Sequence, residues 1–404
     1  MKLQRAPSPD QANSLLIVAG EASGDQCGGD LLQVLLAKDP HLHTYGIGGA
    51  HMRAAGMETL FDIQALSAVG ITEVCMKLPQ GWRMMRHLRQ QARRRHTQIA
   101  VLIDAPVFNL PLARQLKTAG LHVVYYISPQ IWAWRQGRVK KIARRVDKML
   151  TLFPFETSFY TAAGVDAEYV GHPIIDRLSQ CPSSQQATAV LGLTPHRPTV
   201  ALLPGSRRHE VNRLLPLMLQ AFQGIKQQMP QIQGVLPVAV TVPLQDVQRV
   251  VQSFALDIKV LQGHSITALC AADFAIIASG TATLEAGFIG TPMVVVYKAH
   301  PVTAWFAKRL IQIPYIGLVN IVAGRQLVPE LLQHQAQPQN IAAFALESLE
   351  NPELAQLIRT NLRTVRCVLG TGGSTQRAAA CVRQYIYQKT PSPSSAPLSP
   401  ETGS

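Results

Sequence analysis

Aromatic residues are scarce in this chain, at 6%. With no zinc finger, ribonucleoprotein box or basic zipper either, nucleic acid is the weakest class of partner. Acidic residues are also few: 24 Asp+Glu face 38 Lys+Arg, a formal net charge of +14. That excess favours an anionic partner, and a nucleotide or a phospholipid surface fits better than nucleic acid. The 6 cysteines form no C-x-x-C pair, and His41 and His43 have no partner cluster. Disulfide framework and zinc site are therefore not expected, and reduced, buried thiols are. No uninterrupted apolar run reaches the ~18 residues of a membrane-spanning helix. The two basic residues near the N-terminus, Lys2 and Arg5, are followed by Pro7 and Pro9 without an apolar core, unlike a secretory signal. The expectation is a cytosolic protein that at most leans on a membrane.

Hydrophobic residues make up 47% of 404 residues, enough for substantial cores and about right for two α/β domains. Short apolar runs alternate with amphipathic stretches almost throughout, the pattern of parallel sheets with crossover helices. In the first half, Leu15–Ala19, Thr44–Ile47, Ile99–Ile103, His122–Ile127, Lys148–Leu152 and Glu168–Val170 read as strands. Asp25–Ala37, Trp82–His96, Asn109–Ala119 and Arg135–Arg145 read as helices between them. The pattern pauses at Gly171-His172-Pro173 and the polar segment Cys181–Gln186, which mark a domain junction. A second series runs Thr199–Leu203, Gly234–Val240, Ile258–Leu261, Phe274–Ala278 and Met293–Val296, followed by a helical C-terminal part. The predicted layout is an extension over 1–13, a first Rossmann-like domain over 14–175, a second over 176–370, a helix over 371–388 and a Pro/Ser-rich tail over 389–404. Both domains are α/β with doubly wound sheets, facing each other across a cleft with ligands at the carboxyl ends of the strands.

Two segments carry the most chemistry. Leu202-Leu203-Pro204-Gly205-Ser206-Arg207 and Ser279-Gly280-Thr281-Ala282-Thr283-Leu284-Glu285 each end an apolar run in small residues and then open a helix. Backbone N–H groups at such an end receive an anion. A helix terminus alone is worth about 0.3–1 kcal/mol; Arg207 is either a solvated helix-start arginine or, in bidentate contact, adds what a departing pyrophosphate needs, and the strand-to-helix context favours the second. The chain has no D-x-D to hold a divalent ion between phosphates, so no metal is expected and this positive charge takes over that work. Glu285, one turn into its helix, is placed to accept hydrogen bonds from ribose hydroxyls. Two anion cradles and a hydroxyl acceptor suggest a nucleotide diphosphate site. Glu210 belongs to the first cradle, while Asn320 and Gly324-Arg325 lie in a loop between Ile316–Val319 and a helix near Val328–Leu332.

On the other half, Gly20-Glu21-Ala22-Ser23-Gly24-Asp25 follows the first strand directly. Ser23 or Asp25 either merely caps the helix, or joins Glu21 and Gly24 in a wall that orders sugar hydroxyls. It is not a G-x-G-x-x-G fingerprint, so dinucleotide binding has little support. Asp104 ends an apolar strand in Leu102-Ile103-Asp104-Ala105-Pro106-Val107-Phe108-Asn109. It is a plain cap, or a general base whose pKa rises with desolvation by Pro106 and Phe108. Arg83, Arg86, Arg89, Arg93, Arg94 and Arg95 line Trp82–His96, which follows apolar Leu66, Val69, Ile71, Val74 and Met76. That combination, with Trp82, is either a solvated face or a seat on an anionic bilayer.

These motifs, together with Tyr125-Tyr126-Ile127-Ser128-Pro129-Gln130-Ile131-Trp132-Ala133-Trp134-Arg135, Gly171-His172-Pro173 and Ala323-Gly324-Arg325, closely resemble those of bacterial lipid-A-disaccharide synthases over about residues 15–388. The resemblance implies a GT-B fold and an inverting, metal-independent glycosyltransferase on the cytosolic face of the inner membrane. The implied substrates are UDP-2,3-diacylglucosamine and 2,3-diacylglucosamine 1-phosphate, and the implied assembly is a homodimer with exchanged C-terminal segments. It also implies that Asp104 and Arg207 are the essential pair, that Ser279, Gly280, Thr281 and Glu285 meet UDP, and that the segment near 66–85 dips into the membrane. One departure is visible: the family often has a second aspartate where this chain has Val107, leaving Asp104 as the candidate base. Two alternatives stay open: another GT-B enzyme of UDP-GlcNAc, such as the peptidoglycan lipid-intermediate transferase or a 2-epimerase, and a non-enzymatic binder of nucleotide sugar or lipid.

Overall fold

Thirteen short runs, most of them rich in Leu, Val, Ile and Ala, become strands in the computed structural model, which describes residues 14–67, 74–133, 136–179, 181–299 and 314–387. The first sheet contains β1 (Ser14–Ala19), β2 (His43–Gly48), β3 (Glu58–Asp62), β4 (Ile99–Ile103), β5 (His122–Tyr126), β6 (Lys148–Thr151) and β7 (Ala167–Tyr169), in the order 3-2-1-4-5-6-7. The second contains β8 (Thr199–Leu203), β9 (Gln233–Val238), β10 (Ile258–Gln262), β11 (Phe274–Ala278), β12 (Met293–Tyr297) and β13 (Glu330–Leu332), in the order 10-9-8-11-12-13. Every pairing is parallel.

Central strands are buried on both faces, which is why they read as continuous apolar runs rather than alternating ones. Leu15, Ile17 and Ala19 of β1 pack with Leu31, Leu32 and Leu35 of the helix Ala22–Lys38. Leu16 and Val18 point the other way, toward Met84, Met85 and Leu88 of the helix Val74–Arg94 and Leu112 of the helix Pro106–Thr118. In the second half, Val200 and Leu202 face the helix Arg208–Gln228, while Ala201 and Leu203 face Leu284 and Val365.

The chain closes by returning to its first half. Tyr169 Oη donates to the Leu369 carbonyl (2.7 Å), Arg377 Nε to that of Val170 (2.8 Å) and Ser374 Oγ to that of Gly171 (2.9 Å). The helix Ser374–Tyr387 then lies on the helix Ala22–Lys38 and beside β4 and β5. His172, at the junction, accepts the Ile174 N–H on Nδ1, and burial with Arg177 nearby pushes its pKa down to about 3.

Three local expectations are corrected, and one strand had not been expected. The stretch expected as a helix near Val328–Leu332 is β13, paired to β12 through Leu331 and Val296, and Leu318–Ala323 is helical instead. A short apolar run has no resolvable period, so pairing to a sheet edge decides it. Arg135–Arg145 narrows to a helix over Val139–Ala143. The helix Val74–Arg94 begins earlier than Trp82 despite Pro79 within it. The strand β3 had no distinct apolar signal, since none of its residues is fully buried.

Candidate active site

In each sheet the strand order reverses once, between β1 and β4 and between β8 and β11. Crossover connections leave in opposite directions there, so a crevice opens at the carboxyl ends of those strands. Gly20 and Glu21 follow β1, Asp104 follows β4, Gly205 to Arg207 follow β8, and Ser279 and Gly280 follow β11. The two halves touch where Arg207 meets Glu21 at 3.4 Å; Arg207 also lies 3.4 Å from Glu210. Partial burial opposes the Arg207 charge, but the two carboxylates outweigh it and hold its pKa above the usual value. Gly205 sits at φ +114, and a Cβ there would come within 2.7 Å of Glu210 Oε2, so only glycine permits this turn beside Glu210.

Asp104 is half-buried at the end of β4. Desolvation is the main cause that lifts its carboxyl to about 6; Glu21 adds to the lift, while the Ala105 N–H and Arg207 oppose it. Room for this turn comes from Gly20, where a Cβ would lie 2.2 Å from that of Ala105. Val107 is 75% exposed on the next turn and has no group able to carry a proton.

On the opposite wall, Gly280 faces open space and Thr281 is exposed at the start of the helix Thr281–Ile289. Ser279 Oγ already donates to the Ile316 carbonyl (2.8 Å), so what it offers a ligand is its backbone and its lone pairs. Glu285 lies buried behind this loop, and burial raises its pKa while Arg177 lowers it. Arg325 is exposed just beyond Gly324, which ends the helix Leu318–Ala323. Among the described residues, no three His, Cys, Asp or Glu side chains converge as metal ligands would.

Three residues expected at ligands do other work. Asp25 is 2% exposed and accepts the N–H groups of Gly49 (2.6 Å), His51 (3.0 Å) and Met52 (3.2 Å). It does not cap its own helix: it caps the helix Ala50–Ala54 and ties β2 to the first helix, with both carboxylate oxygens taken up by backbone N–H groups. Gly24 is likewise buried against β1 and β4, leaving Glu21 and Ser23 as the exposed polar members of that loop. Asp25→Ala is expected to strand buried donors and destabilise the fold by about 2–3 kcal/mol, read from urea unfolding. A loss below ~0.5 kcal/mol, the level of an ordinary surface change, contradicts that role. Asn320 is fully buried, donating to the Val328 carbonyl and Glu330 and accepting from Leu327 and Val328 N–H. It shapes the wall next to Ser279 and presents no free group to the cleft.

The segment expected at a membrane is described only in part. Leu66 packs against the first core rather than facing out. Val69 and Ile71 lie outside the described residues, as do the side chains of Val74 and Met76. Trp82 is 60% exposed, beside exposed Arg83 and Arg86.

The family model described as Lipid-A-disaccharide synthetase matches residues 15–385. The Geobacter sulfurreducens lipid-A-disaccharide synthase is 43% identical over 375 residues, 93% of this chain and 98% of that protein. The Myxococcus xanthus lipid-A-disaccharide synthase is 41% identical over 379 residues, 92% and 97% of the two chains. The chain belongs to the lipid-A-disaccharide synthase family. As a member, it is a hexosyltransferase of lipid A biosynthesis with a GT-B fold, acting on a nucleotide sugar and a lipid-type substrate. Solved structures echo the architecture: the Neisseria meningitidis UDP-GlcNAc 2-epimerase bound to UDP-GlcNAc has a TM-score of 0.63 at 10% identity, covering 92% of this chain and 100% of that one. The calicheamicin glycosyltransferase CalG4 gives 0.59 at 15% identity, covering 94% and 99%. Likeness at that identity speaks for fold alone, so the epimerase alternative gains nothing over the synthase family. Among the described residues no helix is long and apolar enough to cross a membrane.

Sequence reasoning passed over Arg177, which donates to Gln26 Oε1 (3.0 Å) and reaches Glu285 electrostatically. It lies just after Gly171-His172-Pro173, and no local pattern distinguishes it from a surface arginine.

Proposed function

We propose that this enzyme joins UDP-2,3-diacylglucosamine to 2,3-diacylglucosamine 1-phosphate, with Asp104 as general base. The acceptor 6-hydroxyl gives its proton to Asp104 as that oxygen forms a bond to the anomeric carbon from the face opposite UDP. The bond from that carbon to the β-phosphate oxygen breaks, UDP leaves and the configuration inverts. Arg207, with the N–H groups of Gly205–Ser206 and Ser279–Thr281, takes up the charge that builds on the departing phosphate. Glu285 takes the ribose hydroxyls and Arg325 lies on the nucleotide side. One carboxylate suffices because an inverting displacement leaves no covalent intermediate to break. The observation that carries this reading is a half-buried carboxyl, lifted to about 6, at the switch point across from Arg207.

The test is incubation with both acylated substrates, reading products by mass and UDP release. A tetraacyl disaccharide 1-phosphate supports the proposal. Release of UDP from unacylated UDP-GlcNAc at equal rate, or no release at all, contradicts it.

The exposed Trp82 beside Arg83 and Arg86 supports peripheral contact with an anionic bilayer, the inner-membrane face in this reading. Co-sedimentation with vesicles rich in phosphatidylglycerol is expected, weakened by about 30-fold or more by the triple change Trp82→Ala, Arg83→Ala and Arg86→Ala. Each basic residue near such a surface is worth about 1 kcal/mol. Unchanged sedimentation of the triple variant removes this face from the contact.

A further inference from the structure

The turn that presents Asp104 is held in a conformation its residues disfavour. Asp104 has φ +49 and Ala105 φ +44, two consecutive non-glycine residues in the left-handed region, and Ile127 at the end of the neighbouring strand has φ +67. Such geometry persists only where the surroundings over-determine it, and it clusters at working sites.

Here the surroundings are specific. The Asp104 carbonyl accepts the Tyr125 hydroxyl at 2.5 Å and the Asn109 Nδ2 amide at 2.8 Å. The same amide reaches the Ile103 carbonyl at 3.0 Å, and the Asp104 N–H donates to the Tyr126 carbonyl at 3.0 Å. The peptide on either side of Asp104 is thereby gripped. Tyr125 is completely buried, and its hydroxyl is directed at this one carbonyl. Asn109 is also fully buried, and its Oδ1 has no partner among the described residues. An orphaned buried acceptor weakens a fold; a leucine of similar size would pack there without that penalty. An asparagine at this position is explained by what its nitrogen holds.

We infer that Tyr125 and Asn109 are positioning residues, which clamp the Asp104 carbonyl so that the carboxyl stays aimed into the cleft. The inference rests on Asp104 being the base. With the clamp released, the turn relaxes toward the right-handed region and the carboxyl leaves its productive position. A displacement of about 1 Å can cost on the order of 10²-fold in rate.

The experiment uses Tyr125→Phe and Asn109→Leu, each alone and combined with Asp104→Asn. Tyr125→Phe keeps the ring and its packing, and Asn109→Leu replaces the amide by a side chain of similar size, so both are expected to stay folded, with an unfolding temperature somewhat below wild type because buried carbonyls lose a donor. Each is expected to lower kcat by about 10–10² with KM for the nucleotide sugar within about twofold. In both, the acid limb of the pH–rate profile moves to lower pH as the carboxyl gains water. Neither is expected to add a further loss to Asp104→Asn, because both act through that carboxyl. Wild-type kcat and an unmoved acid limb overturn the inference, as does an equal loss in the Asp104→Asn background. Wild-type turnover by Asp104→Asn alone removes the base itself, and is thus told apart from a failure of the clamp.

Discussion

Asp104→Asn is expected to lower kcat by ~10²–10⁴, the usual worth of a positioned base, while nucleotide-sugar binding stays within a few-fold of wild type. The same change is expected to make the protein more stable at neutral pH. Asp104 titrates near 6 in the folded chain, mainly because burial disfavours its charge, whereas an unfolded aspartate titrates near ~3.9. Below the lower value both states are protonated and the group has no effect on stability. Between the two values the unfolded state ionises first, so stability falls as pH rises, and above the folded value the full cost is present. Removing the charge recovers that cost, on the order of 1–3 kcal/mol at pH 7 and nothing near pH 3. Slower turnover together with a higher unfolding temperature is the signature of a group kept for chemistry against the interest of the fold. Turnover within a few-fold of wild type contradicts the assignment, whatever the stability does.

Arg207→Ala is expected to lower kcat by about 10²–10³, and saturating donor does not restore it, because the lost contact is with charge that develops as UDP departs. Stability is expected to change by less than ~1 kcal/mol. Both ion pairs of Arg207, with Glu21 and Glu210, measure 3.4 Å and its side chain is 57% exposed, the regime in which pairs contribute little. Since Arg207 lowers the Asp104 pKa, the residual activity should show its acid limb at higher pH than wild type. Unchanged turnover at saturating donor removes Arg207 from the site.

The two-sheet architecture was legible because doubly covered strands must be apolar throughout: Leu15–Ala19 and Thr199–Leu203 announce themselves by composition. So did the strand-to-helix loops after β1, β4, β8 and β11, since a switch point needs a strand end and small or acidic residues there. Side-chain destinations were not legible where the partner is remote in sequence. Asp25 looks like any acidic residue in a first turn, and only the fold brings Gly49, His51 and Met52 to its oxygens. Asn320 reads as a loop residue offered to a ligand, yet β13 arrives alongside and its neighbours Leu327, Val328 and Glu330 use both ends of its amide. The left-handed turn at Asp104 and Ala105 carried no glycine to signal it. Its supports, Tyr125 and Gly20, lie on neighbouring strand ends, so no local pattern links them to it.

The pH dependence of kcat/KM tests the central claim most directly, because it reports the ionisation of the free enzyme's essential base. For the wild type, activity should rise tenfold per pH unit on the acid side and level off near 6, where the Asp104 carboxyl titrates. For Asp104→Asn, the remaining activity should be flat across that range. An acid limb that persists unchanged in the asparagine variant would place the proton acceptor elsewhere and contradict the account.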